Sequence, residues 1–525
     1  MPQFRTKARA VELLGKGQIA DLPTAITELW KNGYDAYAEN LEAFLFCDGY
    51  KGLKKPFFVI SDDGTGMSED EILNKWMVIG TDSKTKETKD KKGEDTLGKV
   101  PRIKTGEKGI GRLSVSYLGT QMLMLTKKRK GPIQALFFDW RILENYNLYL
   151  EDIQIPLRQI NSNEDPSNIL NLLKKDFLEN FDSDNNADRW EEYEILYNTL
   201  IKDTKQLELP EFVNEQLIEN FGPKPDDKHG TKIFIFNPID QISELKDADK
   251  SDDSVSGSTM FTMSSLSGLA NHFRQEKKGY LTKFHVYKSE NPIDIIQQRD
   301  SFTYKDFENC DHLIEGSFDE NGSFEGKVRI YKKFVDHKFK PNKPPGKRPY
   351  GVFDVKIGYM AGDLKDTMLL PEEKRAYDKR LGRYGGIYIY RDGFRVLPYG
   401  RLDQDFLEFE ERRSRRAGEY FFSFRRMFGF IAISRENNPQ LKDKAGREGF
   451  INNNSYREFK EDLIAFFIDL AKKYFKTVAE YEYKATQQKE FEEERLERER
   501  EKEERQEFNK SLKKYPPLLE EYTHE

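Results

Sequence analysis

The spacing Glu28-x-x-x-Asn32-x-x-Asp35 lies in a stretch whose apolar positions Ile26, Leu29 and Trp30 recur at helical intervals. On a helix, this stacks Glu28 and Asn32 one turn apart on one face, with Asp35 and Ala36 a further turn on. Asp21 ahead of Pro23 marks a helix start. Two more segments follow in order. Asp62-Asp63-Gly64-Thr65-Gly66-Met67 comes directly after the apolar run Phe57-Phe58-Val59-Ile60, and Gly106-Glu107-Lys108-Gly109-Ile110-Gly111-Arg112 opens a new helix. Each alone is weak, because polar helix faces, Asp-Gly turns and glycine-rich loops are common. Their succession is what narrows the possibilities.

In this order, with His229-Gly230-Thr231 leading a later strand, the segments resemble the GHKL ATPases. That superfamily includes gyrase B subunits, heat-shock chaperones, histidine kinases, mismatch-repair clamps and MORC proteins; the closest likeness is to MORC-like or chaperone-like bacterial ATPases. The resemblance implies an α+β chain: a Bergerat-type nucleotide-binding α/β sandwich, a transducer-like α+β domain and a charged C-terminal helix. It implies ATP and Mg²⁺ as ligands, ATP hydrolysis, and an ATP-dependent homodimer.

Residue by residue, Asn32 offers a neutral oxygen to Mg²⁺, a hard cation that keeps most of its waters. Glu28 can orient, or accept a proton from, a water attacking the γ-phosphate. Glu28, Asn32 and Asp35 match the family's N box, and the Asp35-Ala36 ending is of the hydrolase rather than the kinase type. The resemblance makes Asp62, at a strand end, the acceptor for the adenine amino group. Gly64 and Gly66 let the backbone approach the base, Met67 completes that box, and Thr231 matches the threonine that helps hold Asp62 and a water against adenine. Gly106, Gly109, Ile110 and Gly111 form a phosphate cradle of backbone N–H groups, with Lys108 inside it and Lys84 ahead of it. No Walker loop is present.

The chain has 525 residues, 34% of them charged, with 38 Phe, 26 Tyr and a net charge of -6. The length calls for two or three domains, and the aromatic content supplies cores beneath a polar surface. Two cysteines cannot build a disulfide framework or a zinc site, and Cys47 reads as a small buried hydrophobe. There is no signal-peptide pattern and no run of about 18 apolar residues, so the expected location is cytoplasmic, without membrane contact.

The expected domains are residues 1–275 for nucleotide binding, 276–475 for the transducer-like part and 476–525 for a solvated, charged helix. Within the first, helices occupy about 8–43 and strands 43–48, 57–61, 120–126, 133–139 and 231–236. Ser68 with Glu71 starts a helix running to about Val78. Residues 80–108 read as a mobile lid whose other lysines, Lys99 among them, are solvated charge. Residues 141–228 read as an acidic, mostly helical insertion.

In the second half, Asn438 to Phe450 resembles the loop through which transducer domains send a cation to the γ-phosphate. Arg447 is the first candidate, with Lys442 and Lys444 behind it; a plain basic surface loop is the alternative. The cluster Glu411 to Arg416 and the loop Lys338 to Lys343 are candidate contacts for nucleic-acid phosphates, or else partner surfaces. The client, protein or nucleic acid, is not legible. An ATP-binding scaffold without turnover and a protein kinase remain the rival activities.

Overall fold

The computed structural model describes all residues except 1–4, 80–94, 106–110, 161–165, 182–186, 214–227, 249–253, 275–278, 297–300, 345, 417–419, 445–448, 476–477 and 515–525. The chain divides into two compact units. The first takes in Met1–Ala270, Glu276–Arg299 and Lys444–Glu448, and the second Asn271–Gln275, Asp300–Asp443 and Gly449–Glu525.

The first unit opens with helices α1 (Arg9–Leu14) and α2 (Leu22–Asp35). Asp21 caps α2 by accepting the Thr24 amide at 2.9 Å, with proline in the first turn, where a missing N–H costs nothing. The helix is buried all round from Leu22 to Trp30, Thr24, Thr27 and Glu28 included, so it runs through the interior rather than showing one inner face. It ends at Asp35, short of the expected 43. Tyr37 turns the chain at φ +65°, and the Asp63 carboxylate takes the amides of Glu39 and Asn40 at 2.7 and 2.8 Å, which starts a strand instead.

The strands of this unit are β1 (Asn40–Phe46), β2 (Phe57–Asp62), β3 (Gly119–Lys127), β4 (Ile133–Asp139), β5 (Leu157–Ile160), β6 (Gly230–Pro238), β7 (Leu281–Tyr287) and β8 (Ile293–Asp294). They form one sheet in the order β5-β4-β3-β6-β2-β1-β7-β8. Every pairing is antiparallel except that of β1 with β7. That parallel pairing returns the chain to the first sheet beyond 275, so residues 276–299 group with the first unit rather than opening the second. The central strand β2 is buried from Phe57 to Ser61, as its unbroken apolar run requires.

The insertion at 141–228 carries helices Pro166–Leu178 and Glu194–Gln206, and also the edge strand β5, which extends the sheet beyond β4. Arg141 bridges Asp139 and Asp203, both at 2.7 Å, and so ties the second of these helices to the end of β4. Ser68 and Glu71 form the expected capping box, but after one turn the helix widens into a π-turn over Ile72–Trp76.

The second unit is built on β9 (His312–Phe318), β10 (Phe324–Ile330), β11 (Lys333–Phe339), β12 (Phe353–Tyr359), β13 (Gly386–Arg391), β14 (Phe394–Arg395) and β15 (Met427–Ile433). Their order is β11-β10-β9-β12-β15-β13-β14. Helix Asn454–Leu470 covers the sheet through Phe459, Phe466 and Phe467, which pack into an aromatic core with Phe318, Phe324 and Phe353. Helix Val478–Lys514 follows, its described side chains mostly exposed, with Arg495 donating to the Leu364 carbonyl at 2.9 Å. Among the described residues, no helix is long and apolar enough to cross a membrane. Cys47 and Cys310 are buried, and desolvation pushes both thiols up to about 11.

Candidate functional site

Three residues stand in a row across the middle of the first sheet. Asp62 on β2 is directly opposite Thr231 on β6, and Thr231 is directly opposite Thr126 on β3. Directly opposed residues share one face of a sheet, so the three side chains form a polar stripe. Helix α2 lies against the Asp62 end. A Cβ added to Gly33 would fall 2.8 Å from the Asp62 Cβ, and one on Gly64 would fall 2.9 Å from Asp62 Oδ1 and 2.8 Å from the Ala36 carbonyl oxygen. Gly66, at φ +66°, presses against β3: a Cβ there would lie 2.0 Å from the Lys127 carbonyl oxygen. Only glycine permits this approach of backbone to backbone.

Asp62 and Asp63 are adjacent, yet their environments differ. Asp63 is spent on structure, accepting the amides of Glu39 and Asn40 and the Asn40 carboxamide at 2.6 Å. Asp62 accepts the Gly64 amide at 2.9 Å. Although the residue keeps partial exposure, its carboxyl sits deep enough for desolvation to push it up to about 7. The Gly64 and Thr231 amides oppose that rise and the Asp63 charge adds to it. His229 Nδ1 lies 2.6 Å from the Gly64 carbonyl oxygen, which pins the same turn.

On α2, the Glu28 and Asn32 side chains both face the start of the helix after the third segment. A Cβ on Gly111 would fall 3.0 Å from Glu28 Oε2 and 3.9 Å from Asn32 Nδ2. Glu28 is 4% exposed, with the Lys31 ammonium 3.2 Å from its Oε1. The structure therefore brings the first segment against both of the others.

Asp35 is turned to another task. Its buried carboxylate accepts the amide of Thr105 at 2.6 Å and the Thr105 hydroxyl at 2.9 Å. The neighbouring cations cover the end of α2. Lys104 donates to the Asp35 carbonyl, Arg102 to those of Tyr34 and Ala38 at 3.0 and 2.7 Å, and Lys99 to that of Tyr37 at 2.8 Å. Of the last four carbonyls of α2, those of Asn32 and Gly33 accept backbone amides and those of Tyr34 and Asp35 accept Arg102 and Lys104, while Lys99 and a second Arg102 bond hold the turn that follows. Residues 99–105, expected as part of a mobile lid, are thus docked. Lys99, expected as solvated charge, also pairs with Glu39 at 3.2 Å.

Thr126, Thr105 and Arg102 carry no motif signal, because each acts through a distant partner, and Arg112 ends the third segment without a role assigned to it. Arg112 donates to the carbonyls of Lys75 and Val78, joining the two sides of the 80–94 segment. Of the remaining sequence candidates, Lys84, Gly106, Lys108, Gly109, Ile110 and Arg447 lie outside the described residues.

In the second unit, Lys442 is exposed, and its carbonyl accepts the Ile451 amide at 2.8 Å. Asp443 and Phe450 form an antiparallel bridge, and Asp443 is held by Arg391 at 2.9 Å. Four cations of the basic clusters pair with carboxylates: Arg412 with Glu408 at 2.6 Å, Arg415 with Glu411, Lys338 with Glu325 at 2.8 Å and Lys343 with Glu461 at 2.9 Å.

No curated protein matches the chain. Among protein families, the one described as histidine kinase-, DNA gyrase B- and HSP90-like ATPase matches residues 20–169. The matched stretch holds α2, the Asp62 turn and Gly111, and it stops before β6 supplies Thr231. This chain carries, over residues 20–169, an ATPase domain of the GHKL superfamily.

Proposed function

We propose that the chain is a Mg²⁺-dependent ATP hydrolase whose nucleotide site lies between α2 and the Asp62–Thr231–Thr126 stripe. The observation that carries this reading is the placement of Asp62. Its carboxyl is raised to about 7 by burial, beside glycines where a Cβ would collide with it. Such a group needs a donor to complete it, and the amino group of adenine is one. The residues therefore fit ATP.

In the proposed reaction, Asp62 accepts from the adenine amino group and Thr231 supports the same edge of the base. The Gly64 and Gly66 turn lets the backbone lie against the base and ribose. Asn32 would hold Mg²⁺ by its amide oxygen, and the ion supplies charge neutralisation at the phosphates when bound. Glu28 orients the attacking water and takes its proton. Asp35 keeps α2 joined to Thr105, immediately ahead of the glycine cradle formed by Gly106, Lys108, Gly109, Ile110 and Gly111, with Lys84 as a further phosphate contact. Arg447, Lys442 and Lys444 are proposed as the cation set that senses the γ-phosphate, Arg447 first.

ATP binding is proposed to rearrange the 80–108 segment and to drive dimerisation through the N-terminal domain, on behalf of a macromolecular client in genome maintenance or anti-phage defence. The pairing of Lys338, Lys343, Arg412 and Arg415 with carboxylates favours a protein client over nucleic acid.

Calorimetric titration of the full chain with ATP and GTP, run beside a phosphate-release assay, tests the reading. Selective ATP binding with Mg²⁺-dependent phosphate release is the expected result, and Asp62→Asn abolishes both. Binding without release leaves a scaffold, label transfer from γ-labelled ATP to protein leaves a kinase, and no binding refutes the nucleotide site.

A further inference from the structure

Thr126 has no task in the reaction outlined above, yet it stands directly behind Thr231, at the end of the polar stripe away from Asp62. It is fully buried in β3, and its hydroxyl oxygen meets three groups. The Met67 amide donates to it at 2.9 Å, Thr231 Oγ1 lies at 3.0 Å, and the Gly230 carbonyl oxygen lies at 3.3 Å. A hydroxyl owns one proton and two lone pairs. Met67 occupies one lone pair, so the proton must go to Thr231 or to Gly230. Hydroxyl hydrogen bonds to oxygen span about 2.5–3.0 Å, which favours Thr231 over the longer contact. With its own oxygen receiving that proton, Thr231 is free to direct its hydroxyl hydrogen away from Thr126, along the face it shares with Asp62.

We propose that Thr126 is a positioning residue that sets the donor polarity of the base subsite: by donating to Thr231 it makes the Thr231 hydroxyl a donor toward a ring nitrogen, directly or through one water, beside the amino group taken by Asp62. This rests on the adenine reading of the site. The pair then presents an acceptor next to a donor. A 6-aminopurine offers the complement, an amino donor beside the N1 lone pair. A 6-oxopurine offers an oxygen acceptor beside an N1–H donor, so it is mismatched at both positions. Because Thr126 also holds the Met67 amide, one buried hydroxyl couples the glycine turn to the residue that reads the base.

The test measures affinity of the full chain for ATP and for 1-deaza-ATP, in which a C–H replaces N1. The wild-type chain favours ATP by roughly tenfold, the worth of one hydrogen bond in a partly buried site. In Thr126→Val the Thr231 hydroxyl loses its orienting donor, and the preference falls to about twofold or less; Thr126→Ser restores it. Thr126→Ala provides the same readout should the branched side chain disturb folding. The readout is a ratio for one protein sample, so a general loss of stability leaves it unmoved. A valine or alanine variant that keeps the wild-type ratio overturns the proposal, as does a wild-type chain that binds ATP without discriminating the analogue. A wild-type chain that binds neither nucleotide refutes the nucleotide site itself.

Discussion

Gly33 of α2 and Asp62 of β2 stand so close that a Cβ on the glycine would fall 2.8 Å from the Cβ of the aspartate. The helix thus reaches the strand end at the one position where it carries no side chain. This contact sets how near the Glu28–Asn32 face can come to the carboxyl that burial has raised to about 7.

Gly33→Ala tests that contact. Alanine favours a helix interior by about 1 kcal/mol, which alone would stabilise the chain. The added methyl meets Leu41 Cδ2 at 2.7 Å and the Asp62 Cβ at 2.8 Å. The leucine tip can move, but the Asp62 Cβ is fixed by its strand, and overpacking of this kind costs about 1–3 kcal/mol. The expected result is a net loss of stability in denaturant unfolding, with at least roughly tenfold weaker ATP binding by calorimetry.

Glu28→Gln keeps the shape of the side chain and removes its basicity. Affinity for ATP stays within about threefold, while phosphate release falls by about 10²–10⁴. Steady-state phosphate release beside equilibrium binding separates the two effects, and unchanged turnover removes Glu28 from the chemistry.

Asp35→Asn and Thr105→Val each break the anchor of the docked 99–105 segment, and each costs about 1–3 kcal/mol because a buried partner is left unsatisfied. The residues touch directly, so the double variant loses less than the sum of the single changes. Denaturant unfolding of all four proteins gives the coupling. Limited proteolysis checks the location, with faster cleavage between Asp95 and Thr105 in both single variants.

The raised carboxyl of Asp62 makes stability fall with pH. Below its ordinary value of 3.8 the group is protonated in both folded and unfolded chains and contributes nothing. Between 3.8 and about 7 the folded chain holds a proton that the unfolded chain has released, so folding weakens as pH rises, and above that the loss is constant. Unfolding measured from pH 4 to 8 shows this fall in the wild-type chain, and Asp62→Asn removes that part of it. The variant is accordingly the more stable of the two above pH 7, in the absence of nucleotide. A wild-type profile parallel to that of the variant would contradict the burial of the carboxyl.

The order of boxes, the helical face with Glu28 and Asn32, the unbroken apolar strand β2 and the Ser68 capping box are legible in the chain itself. Each is a local pattern, made of periodicity, turn residues and caps within a few positions. The family match over residues 20–169 covers these same patterns. The end of α2, the docking of 99–105 and the return of β7 to the first sheet are not legible. They depend on carboxylates and carbonyls meeting partners tens to hundreds of residues away.

By itself the sequence determined that a carboxylate-amide helix, an Asp-Gly turn and a glycine-rich helix start occur in one chain, because spacing and apolar rhythm are written locally. Only the tertiary structure decided that Asp63 starts β1, that Asp35 holds Thr105, and that Thr126 stands behind Thr231. The physical reason is that identical side chains differ only in burial and in the donors brought to them. Those are properties of which strands and helices become neighbours, and no local pattern specifies them.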